Sequence, residues 1–420
     1  MATLSPQTRT LNYRSSSRHC PQKRSAKCLP RAAVIQKGDS MNRDFVRRKS
    51  ITVSQFFAKE MKLSFLLIVF TTAVLLYVLC PAQLKAEDKP FLPGPVRVVS
   101  TVPANGDLNP YGVAFVPPLF PTGGTINPGD VLVSNFNAST NLQGSGTTIV
   151  DVPSNAPVTL FFQGTAPLGL TTALTVLQKG FVLVGNFPSP DGTCGSASPG
   201  SILVIDKNGH LVSTITDTTI QGPWDSALFD EGGTAKLFVA NALSGAVVRY
   251  DLTVSNSGVA VTKATQIASG YLHNCDPVTF VDAPTGLVYD PSKNVLYVAS
   301  AVDNAVYAVS DAADRTHDAG IGTLIYEDQK HLHGALGLAM SPNGHLLVTN
   351  NDSINPDPLQ PSELVEFTVE GRFVKQISLD PSPGGSFGLA VETVNRKTAK
   401  LAAVDDSVNL FLIWTLTAPE

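Results

Sequence analysis

LGLAMSPNGHLLVTNNDSINPDPLQPSELVEFTVEGRFVKQISLD, residues 336–380, decides the fold of this chain. It holds four short apolar runs: GLAM (337–340), HLLVT (345–349), ELVEFTV (363–369) and FVKQISL (373–379). Ser-Pro-Asn-Gly separates the first two, an Asn/Asp/Pro-rich loop the middle two, and Glu-Gly-Arg the last two. Pro-Asn-Gly and Glu-Gly supply the restricted or positive φ that tight turns between antiparallel strands require. The runs are too short for helices and rich in residues that suit a pleated surface. The stretch therefore reads as a four-stranded antiparallel meander.

Nearly the same unit recurs. Its first strand opens at Pro110-Tyr111-Gly112, Pro167-Leu168-Gly169, Pro223-Trp224-Asp225, Pro284-Thr285-Gly286, Ala335-Leu336-Gly337 and Ser386-Phe387-Gly388. Its second strand ends at Asn135, Asn186, Asn241, Ser300, Asn350 and Asp405, spaced 51, 55, 59, 50 and 55 residues apart. A meander repeated at this interval marks a propeller blade. Six units fit, but the sixth has room for only three strands. Its fourth is supplied by residues 96–102 (VRVVSTV), which seals the ring and limits its open edges. The expectation is an all-β six-bladed propeller over 96–420. A two-sheet sandwich does not accommodate six matched openings.

The residues before it differ in kind. Residues 1–60 carry 13 Lys/Arg against 3 Asp/Glu with no sustained apolar period, so disorder is expected. Met41 and Met61 are alternative starts. Residues 63–84 are free of charge, within an apolar segment over 61–86 that is either a cleaved secretory signal or a membrane span. Small residues at Ala82 and Ala86 favour the signal, and a linker follows over 87–95. From residue 87 onward, 15 Lys/Arg face 31 Asp/Glu, a net charge of −16. That charge argues against nucleic acid as a partner of the propeller. The expectation is an exported (periplasmic or secreted) or membrane-anchored monomer, touching membrane only through residues 61–84 if uncleaved.

Cys194 and Cys275 are the two cysteines of the exported region, and in an oxidising compartment an even pair suggests a disulfide. If first strands begin at an upper face, the loops between strands two and three share it with the loops between blades. Cys194 falls in one kind and Cys275 in the other.

The same face gathers Asn135, Asn186, Asn241, Ser300, Asn350 and Asp405. Such residues either tie down their own loop or contact a ligand. Asp225 breaks the glycine pattern and stands beside Trp224. A carboxylate there could hold a cation or a sugar, or could cap a backbone amide. Tyr111, Trp224 and Phe387 occupy matched positions and form an expected aromatic rim for a carbohydrate or another flat ligand. His273, His331 and His333 fall in loops of that face, and His331-Leu332-His333 in extended form would set two imidazoles on one side, as a divalent cation can use. No Gly-x-Ser-x-Gly elbow, paired-cysteine zinc spacing or phosphate loop occurs.

Gly-Leu-Ala, Ser-Pro-Asn-Gly and Leu-Leu-Val-Thr-Asn together resemble the NHL-repeat and SMP-30/gluconolactonase-like six-bladed propellers. In the lactonase branch the resemblance implies a metal-dependent hydrolase, its cation held by Glu, Asn and Asp near the channel mouth. At the corresponding starts this chain has Tyr111, Leu168, Trp224 with Asp225, Thr285, Leu336 and Phe387. Only Asp225 offers such a ligand, whereas a hard cation takes six or more oxygens. The reading taken first is therefore a non-enzymatic propeller binding a small ligand or a protein through its upper face. The alternative is a metal-dependent hydrolase or lyase centred on Asp225.

Overall fold

A computed structural model describes residues 97–395 and 398–417. The chain divides into two units, Met1–Ala82 and Gln83–Glu420. The basic segment, the apolar segment and the linker expected over 1–95 lie outside the described residues. No helix among those described is long and apolar enough to cross a membrane.

The described residues form six four-stranded antiparallel sheets and one small two-stranded one. Blade 1 runs outward from Leu108–Phe115 through Val131–Asn137 and Thr148–Val152 to Thr159–Gln163. The inner strands of blades 2 to 6 are Leu170–Leu177, Pro223–Asp230, Pro284–Asp290, Ala335–Met340 and Ser386–Thr393. Blade 6 is completed by the strand that precedes all the others: Arg97–Ser100 pairs with Leu410–Thr417, Val98 standing opposite Leu412. The Thr101 amide and hydroxyl both donate to the Asn409 carbonyl at 3.1 Å, extending this seam by one residue.

Second strands are packed on both faces by neighbouring blades, which explains their unbroken apolar runs. Leu132, Val182, Phe238, Leu296, Leu347 and Leu401 are all fully buried. Outer strands such as Leu211–Ile215 are mostly exposed.

Inner strands share a register shift near their start. Pro110 pairs with Asn135 and Val113 with Val133, and the equivalent break recurs in every blade. This corrects the expected start of blade 2. Leu170, not Pro167, stands opposite Asn186, so Pro167-Leu168-Gly169 belongs to the preceding loop. Thr172 then occupies the third position, leaving glycine there in four blades, with Thr172 and Asp225 as neighbouring exceptions.

The third position is where blades meet around the channel. A Cβ on Gly388 would lie 1.8 Å from the Tyr111 carbonyl oxygen, one on Gly286 2.3 Å from that of Leu336, and one on Gly337 2.6 Å from that of Phe387. Glycine is required because the next blade's backbone already fills that space. Blade 2 solves the same contact differently: the Thr172 hydroxyl donates to the Trp224 carbonyl. In blade 3 the Asp225 carboxylate instead accepts the Leu287 amide of blade 4 at 2.9 Å.

One element departs from the repeat. Between blades 3 and 4, Asn274–Asp276 and Phe280–Asp282 form a separate hairpin. Cys275 on it is disulfide-bonded to Cys194, in the loop between strands two and three of blade 2, with Cα atoms 5.4 Å apart.

Candidate functional site at the upper mouth of the channel

Two rings of side chains meet where the inner strands begin. One comes from the second position of each inner strand: Tyr111, Thr171, Trp224, Thr285, Leu336 and Phe387. The other follows the end of each second strand: Phe136, Phe187, Ala242, Ala301, Asn351 and Asp406. The second ring is apolar over blades 1 to 4 and polar over blades 5 and 6.

The apolar side is filled. Tyr111 stacks between Phe387 (4.1 Å between centroids) and Phe136 (4.7 Å). From the hairpin, Phe280 lies parallel to Trp224 at 6.0 Å and meets Phe136 and Phe187 edge-on at 5.2 and 5.5 Å. Trp224 is thereby fully buried. The expected aromatic rim is corrected accordingly. Tyr111, Trp224 and Phe387 form part of a plug in the channel, and Trp224 presents no face to a ligand.

The polar side is open. A cavity of about 560 Å³ extends over blades 5, 6 and 1, reaching Tyr111 and Phe387 and walled by Gln143, Asp276, Asn351, Asp352, Ser353 and Asp406. None of its lining residues is Lys, Arg or His. Asp352 Oδ2 accepts the Ser362 and Gly384 amides at 2.6 and 2.8 Å, while its Oδ1 is buried without a partner. Gln143 Nε2 donates to the Val278 carbonyl at 3.0 Å, tying blade 1 to the hairpin. Gln143 Oε1 also lacks a partner.

Burial sets most of the local electrostatics. It pushes the Asp406 carboxyl well above the usual range, reinforced by the charges of Asp405 and Asp380. Burial likewise pushes Asp405 up to about 7, helped by a hydrogen bond that its protonated form donates to Asp380, and Glu363 up to about 8, helped by the Asp352 charge. Burial and the Asp406 charge raise the Tyr111 phenol. Asp276 moves the other way: burial opposes its ionisation, but the Thr279 and Val278 amides outweigh that, bonding to one oxygen at 2.8 and 2.7 Å.

The strand-end residues are engaged in holding loops. Asn186, Asn241 and Asn350 accept the amides of Gly169, Gln221 and His333 at 2.9, 2.8 and 3.0 Å. Each of those amides lies just before an inner strand. Asn135 donates to the Thr101 carbonyl at 3.3 Å, and Ser300 to Asp303 at 2.6 Å. Asp405 is buried with one oxygen unpartnered. The residues following Asn350 and Asp405 reach the cavity.

The expected cation set is not assembled. Asp225 sits on the far side of the aromatic plug, lining a recess of about 50 Å³ with Thr172 and Ser226. His331 bonds to Asp328 and stacks on Phe373. His333 is buried, one ring nitrogen on the Asn355 carbonyl and the other 3.2 Å from that of Lys330. His273 is exposed, its Nδ1 3.1 Å from the Tyr271 carbonyl. Among the described residues no three His, Cys, Asp or Glu side chains are placed to hold a metal ion. These residues do not fit a hydrolytic metal centre.

Sequence reasoning missed Phe136, Phe187, Phe280, Gln143, Asp276, Asp352 and Asp406. A signal existed for two of them: Asn135-Phe136 and Asn186-Phe187 repeat at one register, whereas blades 5 and 6 have Asn351 and Asp406 there.

No protein-family model matches the chain, and no curated protein matches it. Among solved structures the chain is similar to a protein of unknown function from Dyadobacter fermentans, at 11% identity and TM-score 0.49, over 77% of this chain and 99% of that one. It is similar to a gluconolactonase from Xanthomonas campestris, at 12% identity and TM-score 0.45, over 76% and 89%. It is also similar to a calcium-binding regucalcin from Agrobacterium tumefaciens, at 12% identity and TM-score 0.45, over 74% and 91%. These likenesses carry over no residue's role. The described residues form a six-bladed β-propeller.

Proposed function

We propose that this chain is an exported, monomeric binding propeller whose upper cavity takes a small hydroxyl-rich ligand about the size of a disaccharide. The single observation carrying this reading is the roughly 560 Å³ concavity, within the range of small-molecule sites. Its walls set carboxylate, amide and hydroxyl oxygens, which accept hydrogen bonds from a donor-rich ligand, among apolar carbon. Val278, Pro356 and Pro383 on its walls, with Phe387 at its base, offer apolar carbon against which the C–H face of a sugar ring packs. The lack of lining cations disfavours anionic ligands. Export is supported by the Cys194–Cys275 bond, since cystines persist in oxidising compartments.

Calorimetric titration with a panel of neutral mono- and disaccharides tests the reading, using Ser407→Trp as a control. Ser407 is exposed and lines the cavity, so an indole there fills the space while leaving the blades intact. Saturable binding that Ser407→Trp abolishes is the expected result. Failure of the whole panel at millimolar concentration, or binding indifferent to Ser407→Trp, would sink the proposal.

A further inference from the structure

The lower half of the channel is a second cavity, separate from the upper one. It holds about 430 Å³ and runs along the inner strands to Phe115, Tyr289 and Met340 at their far ends. Its blind end is the recess beneath the aromatic plug. Recess and channel share the ring of Val113, Leu174, Ser226, Leu287, Leu338 and Leu389, five aliphatic side chains and one hydroxyl. These residues stand at equivalent registers in the six blades. Inner strands pair on one side only, so their other edges turn unpaired peptide groups toward the axis.

Among the described residues Asp225 is the one carboxyl lining either space, and no Lys, Arg or His lines them. Its carboxylate accepts the Leu287 amide at 2.9 Å, and no cationic side chain neutralises it. From Asp225 to Leu228 three strand residues span roughly 10 Å. We infer that this channel is a binding site for a slender primary alkylamine, its ammonium group seated on Asp225 and its methylene chain along the aliphatic ring. The carboxylate and the strand carbonyls are acceptors matched to the three N–H donors of an ammonium group. A carboxylate ligand would meet the same groups as repulsion. Burial pushes the Asp225 carboxyl up to about 8, as expected where water has been withdrawn and no cation put in its place.

The test is calorimetric titration of the full chain at pH 9, above the Asp225 value and below that of a primary amine, with n-hexylamine, n-hexanol and hexanoate. Asp225→Asn keeps an oxygen for the Leu287 amide while removing the charge. The expected result is saturable binding of hexylamine, at least about tenfold tighter than hexanol, with hexanoate not binding. Asp225→Asn should erase that preference and leave hexanol unchanged. Met340→Trp, narrowing the lower end, should weaken both, whereas Ser407→Trp in the upper cavity should weaken neither. The inference is overturned if hexylamine shows no saturable binding or no advantage over hexanol. It is equally overturned if a folded Asp225→Asn binds the amine as well as the original chain. Amine binding lost in Ser407→Trp but kept in Met340→Trp would assign it to the upper cavity and refute the lower site. Should Asp225→Asn fail to fold, the ligand preference and the two tryptophan variants still decide.

Discussion

Above the aromatic plug and below it, the same six inner strands enclose one axis, yet they finish it in opposite ways. Below, equivalent positions carry equivalent residues: five of the six in the ring at Ser226 are aliphatic, and the wall is nearly symmetric. Above, equivalent positions carry Phe136, Phe187, Ala242, Ala301, Asn351 and Asp406, and symmetry is gone. The hairpin bearing Cys275 and Phe280 then covers one side and leaves the other as a cavity. Repetition builds the ring, and departures from repetition build the places where a ligand can be told from water. Asp225 is the exception below, which is why it draws attention there.

The plug is where this contrast breaks most visibly. Trp224→Ala removes a fully buried indole from contact with Tyr111, Phe136, Phe187 and Phe280. A loss of about 3–5 kcal/mol in urea denaturation is expected. A loss under about 1 kcal/mol would mean that the plug is not a packed core. Removing the disulfide by Cys194→Ser with Cys275→Ser should lower stability by about 2–4 kcal/mol. Its distinguishing sign is a red-shifted Trp224 emission as Phe280 lifts away. Unchanged emission would show that the hairpin stays in place without the bond. At the seam between blades 6 and 1, Gly388→Ala sets a Cβ against the Tyr111 carbonyl and should cost about 1–3 kcal/mol. Gly232, at φ +83° with open space around it, should lose only about 1 kcal/mol on the same change, from backbone strain alone. Equal losses at the two glycines would remove the argument that blade contact selects glycine.

Most of the ring was legible because it repeats. Residues 336–380 show every strand and turn of blade 5, and six second-strand ends at near-constant spacing set the number of blades. Closure was legible too, since a sixth unit with three strands and an unused VRVVSTV segment complete each other. Blade 2 misled because Pro167-Leu168-Gly169 imitates the opening of the other inner strands three residues early. Only the pairing of Leu170 with Asn186 separates the two registers. The site was far less legible. Whether an aromatic at a strand start faces a ligand or a neighbour depends on what covers it, and the cover over Trp224 comes from a non-repeating loop 56 residues further on. Asp406 gained no notice because it follows Asp405, which the repeat already explained, and Asp352 stands two residues beyond Asn350.

A last expected effect tests whether Asp225 belongs with the lower cavity or merely with the blade seam. Its carboxyl is pushed up to about 8 in the folded chain, chiefly by burial, against an ordinary value near 4. Between those limits the unfolded chain has released the proton while the folded chain retains it. Folding is therefore penalised as pH rises from about 4 to about 8, and below about 4 the penalty vanishes. One such group changes stability by at most about 1.4 kcal/mol per pH unit, less where water reaches the carboxyl. Asp225→Asn should flatten this part of the stability–pH curve and make the chain more stable at pH 8 than the original, with no gain at pH 4. Thermal unfolding of both chains across pH 4–8 measures it. If hexylamine occupies the channel, the original chain should regain stability at pH 8 on adding the amine, because the ammonium group offsets the buried charge, and Asp225→Asn should not respond. A flattened curve without that amine response would leave Asp225 as a strut between blades 3 and 4, bonded to the Leu287 amide.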